Sequence, residues 1–292
     1  MRLSLFDSKR CHERDVIRKH DPERGNHNMK QTGILRSDLK RIFLSPIFWA
    51  AIVVSMICMA LNLANFKKAI LDQYIHQGTL NLFIYSAVII GGGMLSVIAP
   101  VLPVLTFGTC IWDDMESGYI RSILVRMKFS KYMLQRIVSI SISGGAVFLV
   151  SMTLYWGILV FIDPSDSPMI EHGLTSMAFG SIYAYSMLLY CVFYVLLVTI
   201  FGALQALLAA GVSLLAQNRY VGLIVPAVLY HSGRIFYALS GYRFSILPWY
   251  SYSISDAKAT SSAVYYDYSF YLVLCVIVFI LGWKRAKRSG RL

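Results

Sequence analysis

The sequence predicts an all-α polytopic membrane protein with about six transmembrane helices, and three observations carry that prediction. The chain is 57% hydrophobic and only 14% charged, with a mean hydropathy of +0.59, whereas a soluble domain is about 45–50% apolar and about a quarter charged. Long stretches carry no ionic side chain: between Asp72 and Asp113, and again between Glu171 and Arg219, there is no Asp, Glu, Lys or Arg. Such lengths suit lipid as solvent, because an isolated charge at mid-bilayer costs several kcal/mol. Finally, the Lys and Arg residues gather beside the apolar runs, as cytoplasmic loops require.

The net charge of +12 therefore reads as membrane topology. A nucleic-acid partner is not expected, since no groove-reading helix or aromatic binding sheet is visible. Of the cysteines Cys11, Cys58, Cys110, Cys191 and Cys275, four lie in apolar runs and none forms a CxxC pair. They read as small apolar side chains, not as a disulfide framework or metal site.

Residues 1–28, rich in Arg, His, Asp and Asn, have no apolar run long enough for a signal peptide. They read as a disordered tail or upstream extension, with Met29 as an alternative start. Over residues 29–43, Ile34, Leu35, Leu39, Ile42 and Phe43 share one helical face while Lys30, Arg36, Lys40 and Arg41 lie elsewhere. That pattern predicts an amphipathic helix in the cytoplasmic interface, basic side toward anionic lipid headgroups. Residues 44–283 then form a single transmembrane domain. Its first span covers about 44–64, with Pro46 in the first turn, where a missing N–H does no harm. The second lies within 82–112 and contains Gly91, Gly92, Gly93, Pro100 and Pro103, so a bent or kinked helix is expected. A charged loop follows at 113–136, then a third span at 137–162 and a Pro- and Asp-rich outer turn at 163–168. The fourth apolar run, 176–216, is too long for one simple span, and a break near Gly202 or Gly211 is expected. Gln217, Asn218 and Arg219 form a cytoplasmic turn before a fifth span at 220–239. Residues 240–267, rich in Tyr, Ser and Trp, read as an interfacial or re-entrant outer segment. The last span, about 268–283, leads into the basic tail 284–292. In this layout 22 Lys and Arg fall inside and 5 outside, which places both termini in the cytoplasm.

No catalytic constellation stands out. The chain has no GxxxxGK[ST], HExxH or GxSxG. Asp113, Asp114 and Glu116 sit at a membrane exit ahead of basic residues, where electrostatic docking or a helix end explains them better than a metal does. His231 and Arg234 are the ionisable pair within an apolar span and are candidate pathway residues. They also lie near enough to the surface to reach it with their polar tips.

The central loop opens with acidic residues and continues with Arg121, Arg126, Lys128, Lys131 and Arg136. In order it carries Asp114, Glu116, Gly118, the Ile120-Arg121 step, Ser130-Lys131 and Arg136. With the preceding basic interfacial helix and the outer Leu247-Pro248-Trp249, this resembles the ABC-2 type permeases, the membrane subunits of ATP-binding-cassette exporters. Tyr119 stands where that family usually has Thr, and the customary Pro before Ser130 is absent. The resemblance implies an exporter permease without an ATPase or cofactor of its own, in a bacterial cytoplasmic membrane. It would be paired with a second permease chain, identical or related, and with cytoplasmic ATPase subunits that use the ATP. It implies that the loop docks on the ATPase. Ile120, Ile123 and Leu124 would supply an apolar stripe for a groove, Glu116 and Arg121 its polar rim, and Gly118 a tight turn. A membrane-embedded enzyme using His231, Arg234 and the aspartates, or a non-transporting immunity or assembly protein, are the alternatives.

Overall fold

The computed structural model describes residues 33–70, 78–87, 94–125, 128–162, 179–239 and 261–288, and all regular structure among them is helical. Residues 35–292 cluster as one unit and residues 1–34 as another, of which only Gly33 and Ile34 are described. In chain order the helices are α1 (Gly33–Phe43), α2 (Pro46–Ile70), α3 (Gly78–Ala87), α4 (Met94–Ile98), α5 (Leu102–Phe107), α6 (Cys110–Glu116), α7 (Tyr119–Leu124), α8 (Phe129–Ile162), α9 (Gly180–Tyr185), α10 (Met187–Ala216), α11 (Arg219–Leu239) and α12 (Ser261–Arg288). Residues 1–28, Gly91 to Gly93, the outer turn at 163–168 and Leu247-Pro248-Trp249 lie outside the described residues.

Among the described residues, five segments are long and apolar enough to cross a membrane: Pro46–Asn65, Leu95–Glu116, Phe129–Ile162, Met187–Ala216 and Val264–Arg288. The remaining expected span, the fifth in chain order, coincides with α11, a helix of 21 residues that contains Pro226. Arg219, His231 and Arg234 give it a more polar composition, and it is not among the five.

Several boundaries differ from the sequence-based expectation, each for a physical reason. Pro46 does open α2. The second apolar run, expected as one bent span, is divided into α3 and the sequence α4 to α6. Residues 99–101 form a turn at Pro100, and another turn at Gly108 and Thr109 separates α5 from α6. The third span begins at Phe129, not 137, because Lys131 and Arg136 belong to the helix and not to a loop. The last helix begins at Ser261, so residues 261–267 of the expected interfacial segment are helical.

The fourth run breaks, but at neither of the two glycines expected. Helix α10 runs unbroken through Gly202 and Gly211, and the chain turns instead at Ser186, whose extended backbone divides α9 from α10. The Ser186 hydroxyl accepts the Leu189 amide N–H at 3.4 Å, satisfying one of the donors at the new helix start. The glycines serve close packing. A Cβ on Gly202 would lie 2.5 Å from the Gly144 carbonyl oxygen, and one on Gly144 equally close to the Gly202 oxygen. Likewise a Cβ on Gly282 would come within 2.9 Å of the Gly211 oxygen. Bare backbone on both sides lets α10 touch α8 and α12 directly, which is how helices gain dispersion energy where lipid is as apolar as the side chains. Helix α10 is thus the central element, with α8, α12 and α11 around it.

Helix α10 ends as a helix must when it reverses. Gln217 takes the left-handed conformation (φ 55°) with its N–H on the Ser213 carbonyl, and Asn218 Oδ1 then accepts the Tyr220 amide at 2.8 Å to start α11. The turn expected at Gln217 to Arg219 is therefore present. At the opposite end of α10, Phe179 donates its N–H to Ser261 Oγ at 3.0 Å, tying the start of α9 to that of α12. Cys58, Cys110, Cys191 and Cys275 are buried free thiols.

Candidate functional site

The basic end of the bundle brings together α6, α7, the start of α8, the end of α10 and the end of α12, which meet around Ile111, Met115, Ile120, Phe129, Met133, Leu214, Trp283 and Ala286. Phe129 packs edge-on to Trp283 with ring centroids 4.7 Å apart. Exposed Lys40, Arg41, Lys128, Arg219, Lys284, Arg285, Lys287 and Arg288 belong to the segments at this end.

Arg136, on α8, lies at the centre and is only 1% exposed. Its Nη2 is 2.5 Å from Asp114 Oδ2 on α6, and its Nη1 is 2.6 Å from Asp38 Oδ2 on α1. The first contact is reinforced: Tyr132, one helical turn before Arg136, donates its hydroxyl to Asp114 Oδ2 at 2.6 Å and accepts Arg136 Nε–H at 3.3 Å. The second is looser. Nη1 is close to Asp38 without alignment for a hydrogen bond, and Asp38 gains one further donor, Ser139 Oγ at 3.2 Å. The guanidinium also lies over the rings of Phe107 and Tyr132, 5.8 and 5.3 Å from their centroids. Two carboxylates thus share one guanidinium away from water. Such an arrangement persists only with these hydrogen bonds, because desolvating the charges costs several kcal/mol each.

Directly after Asp114 the chain makes an elbow. Glu116 ends α6 and is exposed, Gly118 adopts φ +71°, and α7 starts at Tyr119. A side chain at Gly118 would meet no neighbour, so the positive φ alone explains the glycine. Ile120 is fully buried and Ile123 nearly so, which corrects the expectation that they form a stripe open to a partner: they anchor α7 to the chain's own core. Among the described side chains, Glu116, Ser117, Tyr119, Ser122 and Val125 form the exposed face of the elbow. The side chains of Arg121, Leu124 and Arg234 lie outside the described residues. Exposed Arg219 stacks on Tyr220, and its Nη2 donates a hydrogen bond to the Tyr220 hydroxyl at 3.0 Å.

His231 is remote from this cluster in its partners. Its Nε2 lies 3.1 Å from the Val97 carbonyl oxygen and its ring packs edge-on to Tyr230. The structure therefore joins Asp114, Glu116, Gly118, Ile120 and Ile123 in one elbow and gives His231 a helix-to-helix hydrogen bond. Sequence reading placed Arg136 at the end of a loop and did not single out Asp38 or Tyr132. The one available signal was a lone acid on the otherwise basic α1.

Compared with known proteins, the chain matches no family model, no curated protein and no solved structure.

Proposed function

We propose that the chain is the membrane subunit of an ATP-driven exporter, docking through the α6–α7 elbow on a separate cytoplasmic ATPase and pairing with a second permease chain. The observation that carries this reading is the elbow itself. It is a short helix fixed from behind by Ile120 and Ile123 and from the side by the Asp114–Arg136 ion pair, with an exposed face at the basic end of a helical bundle. A rigid projection of this kind transmits a push from a partner into α6 and α8, because it lacks the freedom to absorb it. The positive-inside bias supports assigning that end to the cytoplasm. The same bias supports α11 as a sixth crossing: at about 1.5 Å per residue, its 21 residues reach about 30 Å, the thickness of the hydrocarbon core. Helix α1 then lies along the cytoplasmic lipid surface, with Lys40 and Arg41 at its exposed end and Leu44 and Trp49 next to it.

Affinity purification of the full-length chain from its native membranes tests the proposal. An ATP-binding-cassette ATPase subunit is expected to co-purify, and Val125→Glu is expected to reduce its recovery about tenfold, the scale of a single interface residue. Val125 is 88% exposed, so the substitution leaves the fold intact. Recovery of the intact chain without any ATPase sinks the reading.

A further inference from the structure

The ion cluster at the basic end is unequal in a way that stability alone does not explain. Asp114 and Tyr132 already satisfy Arg136: the charges cancel, and Tyr132 closes the ring with hydrogen bonds of 2.6 and 3.3 Å. Asp38 adds a second buried carboxylate to the same guanidinium, leaving the group with an excess of negative charge. A surplus buried charge opposes folding, and Asn at this position would keep the hydrogen bond from Ser139 without it. What Asp38 adds is a connection. Apart from Asp38, Ile42 is the other buried residue of α1 from Leu35 to Phe43; Leu35 and Leu39 are half-buried, while Arg36, Ser37, Lys40 and Arg41 are exposed.

The C-terminal end of α1 is built differently from this middle turn. Its last carbonyl, on Phe43, accepts a hydrogen bond from Trp49 Nε1 at 2.9 Å, and the Phe43 ring packs edge-on to Phe48, itself 1% exposed. Leu44 and Ser45 then separate α1 from α2 without being helical. The C-terminal end of α1 is thus pinned to α2 by packing, while its middle is held to α8 through Asp38, by a charge contact with Arg136 that lacks hydrogen-bond alignment and by the hydrogen bond from Ser139.

We infer that α1 is a hinged latch, pivoting at the Phe43–Trp49 corner and closed by Asp38 on Arg136, and that it opens without disturbing the Asp114–Arg136–Tyr132 unit. The closed latch couples the segment preceding the first span to the root of α8. Opening it separates that segment from the bundle while the elbow stays fixed. This inference does not depend on an ATPase partner, and its test involves none.

The test is hydrogen–deuterium exchange on the full-length chain in lipid nanodiscs, comparing the parent with Asp38→Ala and with Asp38→Asn, which keeps the shape and removes the charge. Both substitutions are expected to raise amide exchange about tenfold over residues 35–43 while residues 129–140 and 187–216 exchange as in the parent. Asp114→Asn is expected to raise exchange over 110–116 and 129–140. Parental exchange in α1 of both Asp38 variants would overturn the latch, showing that Ile42 and the corner suffice to hold the helix. An equal rise over 129–140 in those variants would also overturn it, because the three charged residues would then be one inseparable joint.

Discussion

Arg136 shows what a single side chain decides in this fold. It is the cation between two buried carboxylates, so replacing it leaves both without a counter-charge. Arg136→Gln is expected to lower stability by about 3–5 kcal/mol, the usual cost of stranding buried charge. Unfolding in a graded series of SDS in mixed micelles measures this, and a loss below about 1 kcal/mol would mean that water reaches the cluster. Both Asp114 and Arg136 stood out in the sequence because charges are scarce beside apolar runs. Their pairing did not, and neither did Asp38: it meets Ser139 across 101 residues of chain, and no local pattern records a contact of that range. Ile120 and Ile123 illustrate the converse. Their helical spacing showed that α7 has an apolar face, but spacing cannot say whether that face turns to a partner or to the chain's own core.

At the scale of the element, glycine was the ambiguous letter. Within an apolar run it signals either a break or a close approach, and in α10 the second meaning holds at Gly202 and Gly211, while the break falls at Ser186. A serine among apolar residues gives little warning of a helix start, since its hydroxyl serves equally well on an interior carbonyl. The contrast between two glycines of the bundle is testable. Gly202→Leu drives a side chain into the Gly144 backbone and is expected to part α8 from α10, lowering the melting temperature in detergent by 10 °C or more. Gly157→Ala on α8 meets nothing within 4 Å and is expected to leave melting unchanged or slightly raised, because alanine favours the helix by up to about 1 kcal/mol. Equal effects of the two substitutions would refute the close-contact account.

For the whole molecule, composition and charge-free length were sufficient to reveal a bundle of helices long and apolar enough to cross a membrane, since lipid as solvent suits such runs. The number of crossings was less legible. Helix α11 carries His231 and Arg219 on a helix long enough to span, and hydropathy counts a polar residue against a crossing even where a neighbouring helix satisfies it, as Val97 does His231. The six-crossing reading puts both ends on one side. Reporter fusions after residue 36 and after residue 288 are expected to give the same cytoplasmic signal, and opposite signals would mean five crossings with α11 lying outside the lipid.

The buried thiols lead to a last consequence, in the language of reaction kinetics. Cys58, Cys110, Cys191 and Cys275 sit on α2, α6, α10 and α12, one on each of four different helices. A thiol must be uncovered before a reagent can attack it, so with Cys11 replaced by serine, the chain carries four native clocks. The labelling half-life at each site reports how often that helix opens, and the ranking of the four rates maps local stability across the bundle without any added probe.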